Sequence, residues 1–346
     1  MKSLATKWRP KVFEDVLGQE AVKTILQQQL ESGTLPSAML FCGPSGDGKT
    51  TTARIVANIL NRGQGLPIEM DAASHNGVDD VREISRMATS QALDAPYKVF
   101  IIDECHSISN TGWQAMLKLI EEPPARAKFI FCTTDPQKIP ATILSRVQRF
   151  QFQKVSTDDI ANRLDYILSQ EMTDEQTADR DAVEYLAKLA EGGVRLAIQY
   201  LEKCMAYSND LTVENVVKAL NITNYDDYID LTDFIMTDNK KSMIQLLDEI
   251  YASGVDFKQF IKSYVQFILD VNKYIILSDS SDVFKYISIP KTDDNSKWLK
   301  AQNTVGNIEP FNQLLRMLVK LDADIKYSQN PKVDVEATML MFEVKE

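Results

Sequence analysis

The sequence predicts an α/β domain with a parallel sheet, followed by an all-helical remainder. Between residues 37 and 155, short apolar runs alternate with helical stretches, which is the pattern of a three-layer α/β fold. The runs are mostly continuous rather than alternating, as is typical of strands buried on both faces. From about residue 156 the strand signal disappears, and helical patterns follow to the end of the 346 residues.

Five apolar runs are predicted as strands, in the order SAMLFC, LPIEMDA, YKVFIID, AKFIFCTT and VQRFQF. Between them, TTARIVANIL, DDVREISRMA and WQAMLKLIEE have helical periodicity. Further along, FKQFIKSYVQFILDVNKYIIL and FNQLLRMLVKLDADI predict long amphipathic helices. The polar segment from residue 278 to about 309 is predicted to be irregular.

We therefore predict three domains. Residues 1–155 form the α/β core, residues 156–222 a small unit of three or four short helices, and residues 223–346 a domain of longer helices. The Gly192-Gly193 pair interrupts the helices of the second domain.

The composition is ordinary for a soluble globular protein, with 44% hydrophobic and 25% charged residues. No run of about 18 apolar residues is present. The N-terminus, MKSLATKWRP, lacks the apolar core of a signal peptide. We therefore expect a cytoplasmic protein with no membrane contact.

The formal net charge of −11 is unevenly distributed. Residues 1–155 carry 18 Lys and Arg against 16 Asp and Glu, whereas residues 156–346 carry 20 against 33. A polyanion would therefore meet the N-terminal part first. The acidic remainder is predicted to be solvated or to face other proteins, and it argues against tight DNA binding by this chain alone.

The cysteines predict neither a zinc site nor disulfides. They are far apart in the chain, at Cys42, Cys105, Cys132 and Cys204. A structural zinc site needs about four clustered ligands, and only two histidines are present to add to them. In a reducing compartment the cysteines are expected to be free thiols that pack as small apolar residues.

Residues 43–50, GPSGDGKT, fit the phosphate-binding pattern G-x-x-x-x-G-K-[ST]. Such a loop wraps phosphates with its backbone N–H groups, and the helix N-terminus that follows adds positive charge. Lys49 is predicted to neutralise the β- and γ-phosphates of ATP, and the Thr50 hydroxyl to ligate Mg²⁺. The predicted ATP-binding residues here are Gly43, Pro44, Ser45, Gly46, Asp47, Gly48, Lys49, Thr50 and Thr51.

The tetrapeptide Asp103-Glu104-Cys105-His106 follows the third predicted strand and has three interpretations. It is a Cys/His pair for nucleophilic or metal chemistry, the metal-and-water box of a helicase, or the same box in a ring ATPase. Adjacent residues after a strand point in different directions and no third orienting group is evident, which argues against a Cys/His hydrolase. About 50 residues beyond a P-loop, Asp103 is instead predicted to hold Mg²⁺ and Glu104 to polarise the attacking water.

Three further polar residues are candidates for the same chemistry. Thr134 ends the next central strand, where it could touch the γ-phosphate or the water. Arg146 follows a short helix that Pro140 starts, and it is either a surface charge or a finger that stabilises transition-state charge. Arg195 lies in the first turn of a helix, where the dipole disfavours a cation, so a salt bridge or a bound triphosphate would explain it.

Together these segments resemble the AAA+ clamp-loader ATPases, within them the bacterial DNA polymerase III gamma/tau family. TKWRPKVFEDVLGQE resembles the family's adenine-pocket segment and implicates Arg9 and Val16. SRV around Arg146 stands where the family usually has Ser-Arg-Cys, which implies a trans-acting finger. EGGVRLA resembles the sensor-2 helix, which implies that Arg195 reads the γ-phosphate in cis. Other similar segments are EMDAASHNGVDDVREI, ECHSISNTGWQAMLKLIEEPP, TTDPQKIPATILSR, LLDEIYASGVDFKQFI and IKYSQNPKVDVEATML.

The resemblance implies an AAA+ P-loop NTPase domain with a parallel sheet, a small helical lid domain and a C-terminal all-α collar domain. It also implies ATP and Mg²⁺ as ligands and a function in loading a sliding clamp on primer-template DNA. The other clamp-loader subunits would join in a ring-like, pentameric assembly through the collar. Arg82 is a candidate DNA contact, with an i,i+3 pair to Asp79 as the alternative.

Three features depart from the family pattern. NRGQGLPIEM occupies the place where the family often carries a four-cysteine zinc module, and Leu196 follows Arg195 where Asp is usual. The printed chain ends soon after the collar-like segment, so no tethering of helicase and polymerase is expected from it. An AAA+ DNA motor or helicase remains an alternative, although it would need a second motor domain or an aromatic pore loop. A non-hydrolysing structural loader subunit is another, although Lys49 and Glu104 are both present.

Overall fold

The computed structural model describes residues 3–75, 77–90, 95–220, 225–278, 283–290, 293–305 and 308–343. The chain divides into two compact units. One comprises residues 1–174 and 186–202, and the other residues 175–185 and 203–346. The helices are α1 (Leu4–Lys7), α2 (Glu20–Ser32), α3 (Lys49–Leu60), α4 (Val78–Thr89), α5 (Asn110–Glu121), α6 (Ala141–Leu144), α7 (Thr157–Glu171), α8 (Arg180–Leu189), α9 (Val194–Tyr207), α10 (Val213–Leu220), α11 (Tyr225–Met236), α12 (Lys240–Ala252), α13 (Phe257–Ile276), α14 (Asp293–Val305), α15 (Glu309–Ile325) and α16 (Pro331–Leu340).

A five-stranded parallel sheet forms the centre of the first unit. Its strands are β1 (Ala38–Cys42), β2 (Ile68–Asp71), β3 (Lys98–Asp103), β4 (Ala127–Thr133) and β5 (Gln148–Gln151). They are paired in the order β2-β3-β4-β1-β5, and every pairing is parallel. Each strand lies within one of the five predicted apolar runs. The predicted fold class is therefore confirmed.

Both faces of this sheet are covered by helices, which explains why the strand sequences are continuously apolar. Leu40 and Phe100 belong to a core that α4 and α5 complete with side chains such as Ile84 and Trp113. Alternate strand residues point to the other face. That face packs against α2 and α3, and its core contains Met39, Phe41, Ile101, Ile130, Leu26 and Val56.

The carboxyl ends of the strands meet at one edge of the sheet. In the strand register, Cys42 of β1 pairs with Thr133 of β4, and Asp71 of β2 pairs with Asp103 of β3. The polar residues that follow each apolar run are therefore collected beside the loop between β1 and α3. Ligands of open α/β sheets bind at such an edge.

A short connection, residues 61–67, joins α3 to the edge strand β2. Its first side chain, Asn61, is buried and makes two hydrogen bonds with the backbone of Tyr97. Nδ2 of Asn61 donates to Tyr97 O at 3.0 Å, and Oδ1 accepts from Tyr97 N at 2.9 Å. Leu66, near the other end, is 91% exposed. The connection is therefore anchored at its start and makes little core contact beyond it.

The second unit contains two features that the sequence did not predict. Two-residue strands, β6 (Thr177–Ala178) and β7 (Asp210–Leu211), pair in parallel, so the expectation of no strands beyond residue 156 is wrong. Two residues are too few to produce a hydrophobic pattern. Helix α14 likewise lies inside the segment predicted to be irregular, and its polar start conceals an apolar side where Leu299 is fully buried.

The core of the second unit is aromatic. Tyr228 of α11 stacks on Phe260, Tyr264 and Phe267 of α13, with ring centroids 5.1, 5.5 and 5.6 Å apart. Such aromatic pairs stabilise a helical core by more than the burial of their surface area alone.

The predicted long helices are found as α13 and α15. The predicted boundary at residue 222 lies outside the described residues, and the three-domain division stays a prediction.

Asp270 of α13 is fully buried and fastens the next segment to the second unit. Its Oδ2 accepts a hydrogen bond from Ser288 N at 2.6 Å, while Oδ1 accepts from Gln266 Nε2 at 2.8 Å and from Lys273 Nζ at 3.1 Å. A buried carboxylate needs such partners to offset its desolvation.

Among the described residues of either unit, no helix combines the length and apolarity needed to cross a membrane.

Candidate nucleotide-binding site

The loop between β1 and α3 is shaped to hold an anion. Gly48 ends the loop with a φ of 97°, a conformation that side-chain-bearing residues rarely adopt. A Cβ at Gly43 would lie 2.3 Å from the Asp47 carboxylate and 2.7 Å from Phe152 O, so only glycine fits there. Because α3 begins at Lys49, the unpaired backbone N–H groups of its first turn favour an anion beside the loop.

Lys49 directs its ammonium group to acceptors of its own loop. Nζ lies 2.8 Å from Gly43 O, 2.5 Å from Pro44 O and 3.0 Å from Asp47 Oδ1. Lys49 is 6% exposed and Asp47 is 2% exposed. Burial raises the pKa of Asp47, and the neighbouring Lys49 ammonium opposes that rise. The loop therefore contains a buried ion pair at the predicted phosphate position.

The two predicted magnesium ligands are in contact. Thr50 Oγ1 donates a hydrogen bond to Asp103 Oδ2 at 2.8 Å. Mg²⁺ in phosphate-binding sites is usually held by one or two protein oxygens together with phosphate oxygens and waters. A hydroxyl and a carboxylate beside a phosphate-binding loop fit that donor set. Among the described residues, no cluster of three or more His, Cys, Asp and Glu side chains is arranged to hold a metal.

Glu104 lies next to this pair and is held through one carboxylate oxygen. It adopts a left-handed backbone conformation, with a φ of 46°, which an ordinary residue adopts only under constraint. Its Oε2 accepts a hydrogen bond from Thr134 Oγ1 at 3.2 Å and lies 3.3 Å from His106 Nδ1. No described residue hydrogen-bonds Oε1, which is therefore the oxygen left for a water.

His106, to which the sequence assigned no single role, links Glu104 to the end of β4. Its Nδ1 is 3.0 Å from Oγ1 of Thr133, which is fully buried. Either group is the donor in this bond, according to the tautomer of the ring, and the same Nδ1 lies beside the Glu104 carboxylate. The neighbouring Cys105 is fully buried, and burial raises its pKa well above the ordinary value. A thiol in that setting is not a nucleophile, so the Cys/His interpretation is wrong.

Most of the predicted ATP-binding residues line one pocket within the first unit. Arg9 and Val16 from the N-terminal segment belong to it. Gly43 and Pro44, at the start of the loop, do not line it, and their carbonyl oxygens accept hydrogen bonds from Lys49. The predicted residues in the pocket are Arg9, Val16, Ser45, Gly46, Asp47, Gly48, Lys49, Thr50, Thr51, Asp103, Glu104, Thr134 and Arg195.

Trp8 and Arg163 are among the pocket residues that were not predicted from the sequence. The Arg163 guanidinium lies 5.8 Å from the Trp8 ring and 5.5 Å from the Tyr166 ring, and its Nη2 donates to Trp8 O at 3.3 Å. Trp8 Nε1 in turn donates to Glu171 Oε1 at 2.7 Å. A hydrogen bond from Lys7 is the main reason that the pKa of Glu171 is lowered. These contacts fasten the N-terminal segment to α7, about 160 residues away, and no local motif announces them.

Arg195 reaches the pocket from the first turn of α9. Its backbone comes close to the phosphate-binding loop, because a Cβ at Gly46 would lie 3.3 Å from Gly193 Cα and 3.8 Å from Arg195 Cβ. The side chain is exposed, and no described residue forms a salt bridge with it. A salt bridge with a described residue therefore does not account for the cation, and the contact with a bound triphosphate stays a prediction.

Arg146 does not belong to this pocket. It is 40% exposed and lies after α6, where Nε donates to Glu121 Oε1 at 2.7 Å and Nη1 donates to Thr142 O at 2.8 Å. A trans-acting finger is not expected in the pocket of its own chain. Its position is compatible with a surface charge and with a finger for another molecule, and the finger stays a prediction.

Arg82 also lies away from the pocket. It is on α4, and its Nη1 donates to Asp79 Oδ1 at 2.9 Å with both side chains exposed. This is the i,i+3 pair that the sequence offered as the alternative to a DNA contact. Such an exposed pair is weak, so it would not prevent Arg82 from meeting a phosphate, and the DNA contact stays a prediction.

The sheet order, the loop before α3 and the carboxylates after β3 define the class of protein, a P-loop ATPase of the AAA+ type. A solved structure with a similar fold is the RuvB Holliday junction branch migration motor of Thermotoga maritima. It matches with a TM-score of 0.52 and 20% sequence identity, over 72% of this chain and 86% of that chain. A single-substitution form of the same RuvB gives the same values. At this identity the likeness concerns the fold alone.

Sequence relatives narrow the class to one family. A profile described as DNA polymerase III subunits gamma and tau domain III matches residues 211–343, and one described as DNA polymerase III, delta subunit matches residues 66–156. The DNA polymerase III subunit gamma of Buchnera aphidicola subsp. Schizaphis graminum is 30% identical over 97% of this chain and 96% of its own length. The tau subunit of Bacillus subtilis is 30% identical over 98% of this chain and 62% of its own length.

The tau subunit of Escherichia coli is 34% identical, over 75% of this chain and 43% of its own length. This chain therefore belongs to the DNA polymerase III gamma/tau family. The resemblance seen in the ordered sequence motifs is confirmed, and with it the expectation of an ATPase.

Proposed function

We propose that this chain is an ATP-hydrolysing subunit of a clamp loader. It would bind ATP with Mg²⁺ and use binding and hydrolysis to help open a sliding clamp and load it on primed DNA. The observation that carries the proposal is the convergence of three functions on one pocket: a phosphate-binding loop with Lys49, the Thr50–Asp103 contact and the anchored Glu104. Membership of the gamma/tau family supports the replicative role.

Binding of ATP is proposed to use the loop and its surrounding walls. The N–H groups of the loop and of the first turn of α3 would hold the phosphates, together with Lys49. Arg9 and Val16 would contact the adenosine part, and the Arg163–Trp8 pair would support that wall from α7. Arg195 would contact the γ-phosphate from α9.

Hydrolysis is proposed to use the carboxylates at the end of β3. Thr50 and Asp103 would hold Mg²⁺, which when bound neutralises charge on the phosphate oxygens. Glu104 would orient and deprotonate the attacking water. Because Thr134 and His106 both contact Oε2, Oε1 is the oxygen that would receive the proton. This arrangement favours a hydrolysing subunit over a structural one.

The partners of the reaction are also proposed. Arg146 would act on the ATP of a neighbouring subunit, in a ring-like and pentameric assembly joined through residues 223–346. The sliding clamp and primer-template DNA would be the other partners, and the cytoplasm the compartment. The likeness to a branch migration motor does not favour a motor function, since it extends to the fold alone.

ATP turnover by the chain in complex with its co-purified loader subunits tests this proposal. Turnover is measured alone, with primed DNA, with sliding clamp, and with both. A clamp loader is expected to be stimulated most by clamp and DNA together. Full stimulation by DNA without the clamp would instead identify a DNA motor. ATP binding without any turnover would identify a structural subunit.

A further inference from the structure

The phosphate-binding loop of this chain contains a carboxylate that the proposed reaction does not use. Asp47 stands between Gly46 and Gly48 in the loop and is 2% exposed. Its Oδ1 is 3.0 Å from Lys49 Nζ. Its Oδ2 is buried without a hydrogen-bond partner among the described residues and lies against the Cα side of Gly43. An acidic group is thus enclosed beside the site that is proposed to bind a triphosphate.

The hydrogen bonds of Lys49 can be counted. An ammonium group has three protons and no acceptor. Three acceptors surround Nζ within hydrogen-bonding distance: Gly43 O, Pro44 O and Asp47 Oδ1. All three protons are therefore committed to the loop, and Lys49 must release at least one of these acceptors before it can bind a phosphate oxygen.

Among the three acceptors, Asp47 competes most strongly with phosphate. Bonds between two charged groups are stronger than those to a neutral carbonyl. When Lys49 turns to a phosphate, the Asp47 carboxylate loses its counter-ion and stays buried near a second anion. Only the long hydrogen bond from Lys49 N to Oδ1, at 3.4 Å, then remains among the described contacts. A buried carboxylate without a counter-ion is unfavourable, and a neighbouring negative charge makes it more so. Burial already raises the pKa of Asp47 even with Lys49 in place.

We propose that Asp47 sets the nucleotide affinity of this chain by competing with the β- and γ-phosphates for the Lys49 ammonium. ATP and ADP therefore bind more weakly, and leave faster, than they would with a neutral residue at this position. The inference rests on the proposed ATP binding. It concerns a residue that the phosphate-binding pattern leaves unspecified, since position 47 is one of the four variable positions between Gly43 and Gly48.

Two neutral replacements test this inference. Asp47→Asn keeps the shape and removes the charge, while Asp47→Val suits a buried site and removes the polar group as well. Calorimetric titration of the whole chain with ATP and with ADP, in the presence of Mg²⁺, is expected to show binding about tenfold tighter for both variants. Stopped-flow release of a fluorescent ATP analogue should slow by a similar factor. In turnover assays KM should fall without a rise in kcat.

Asp158→Asn provides a matched control for the loss of a negative charge. Asp158 is exposed in the first turn of α7 and does not line the pocket. Because exposed charges are screened by solvent and salt, its removal should change ATP affinity by less than about twofold. An equal gain from the Asp158 and Asp47 replacements would show a general charge effect and overturn the specific role of Asp47.

Thermal unfolding separates this role from a purely structural one. Asp47→Asn is expected to lower Tm without nucleotide and to show a larger ATP-induced rise in Tm than the unaltered chain. Equal destabilisation with and without ATP, or unchanged or weaker binding by both neutral variants, would overturn the inference. Failure of the unaltered chain to bind ATP would instead overturn the proposed function.

Discussion

Two cations of the first unit occupy opposite settings. Lys49 is buried, and the groups that its ammonium bonds among the described residues all belong to its own loop. Arg146 is 40% exposed, and Glu121 and the carbonyl of Thr142 hold it away from the pocket of its own chain. The first cation lies where a nucleotide bound to the same chain would meet it, whereas the second lies outside that pocket, where the proposed finger would meet the nucleotide of a neighbouring subunit. ATP binding should be a property of the chain, and rapid hydrolysis a property of its assembly.

Replacement of Arg146, the exposed cation, should have the largest effect on ATP turnover. In the assembled loader with clamp and DNA, Arg146→Ala should lower ATP turnover by about a thousandfold or more, as for other arginine fingers. ATP affinity of the isolated chain should not change. Arg149→Ala, three residues away and also exposed, is the control and should turn over ATP normally. Equal loss of ATP binding in the Arg146 variant would disprove its action on a neighbouring subunit.

Removal of the proposed base should have the next largest effect. Glu104→Gln keeps the size of the side chain but cannot accept a proton, so turnover should fall about a hundredfold or more. ATP affinity, measured by equilibrium titration, should be retained. Glu122→Gln, at an exposed glutamate just after α5, should behave like the unaltered chain. Full hydrolysis by the Glu104→Gln variant would show that another group is the base.

Replacement of Lys49, the buried cation, should weaken ATP binding instead of slowing the chemical step. Lys49→Ala is expected to weaken ATP binding by the isolated chain by about a hundredfold, below ordinary detection by calorimetry. The change also leaves Asp47 buried without its counter-ion, so Tm without nucleotide should fall. A Lys49→Ala chain that folds and still binds ATP tightly would contradict the assignment of the loop.

A smaller effect is expected from the histidine that contacts Glu104. His106→Ala removes the ring that lies beside Oε2, so Glu104 should be less well oriented, and turnover should fall about tenfold with ATP affinity unchanged. His106→Asn can still donate a hydrogen bond and should recover part of the rate. If the Asn and Ala variants lose the same activity, the contact at 3.3 Å does not position the base.

The smallest effect concerns Arg82. If it meets a DNA phosphate, Arg82→Ala should weaken DNA binding by the assembled loader only about threefold and reduce its salt dependence by about one charge. Arg86→Ala, exposed on the same helix, serves as the comparison. Identical salt slopes for Arg82→Ala and the unaltered assembly would leave Arg82 as the surface partner of Asp79.

The surroundings of the buried cation Lys49 could be predicted from the sequence because the motifs that form them are local. The loop and the magnesium pair follow from short motifs attached to strands, and parallel strands bring their ends to one edge. The contact between Trp8 and Arg163 could not be predicted, because about 155 residues separate them and the adenine-pocket segment that contains Trp8 does not specify its partner. The burial of Asp47 was equally hidden, since the loop pattern accepts any residue at that position.

The second unit shows a different limit of sequence reasoning. Helix α13 has a long apolar face and was predicted with nearly its observed ends. Helix α14 begins with Asp293 and other polar residues and was predicted as irregular. Two neighbouring side chains attach it to the second unit. Leu299 is buried in the core, and Trp298 Nε1 donates a hydrogen bond to the Asp233 carboxylate at 3.1 Å. Tertiary contacts, which periodicity cannot reveal, decide such a segment.

The short connection after α3 makes the first unit suitable for protein engineering. Asn61 ties the end of α3 to Tyr97, so the anchoring does not depend on the residues that follow. Exposed tips that carry no core contact tolerate inserted polypeptide best, and Leu66 is such a position. A fluorescent or affinity module placed at this tip should leave the sheet edge and its pocket unaltered. It would serve as a handle for following single loaders during their working cycle.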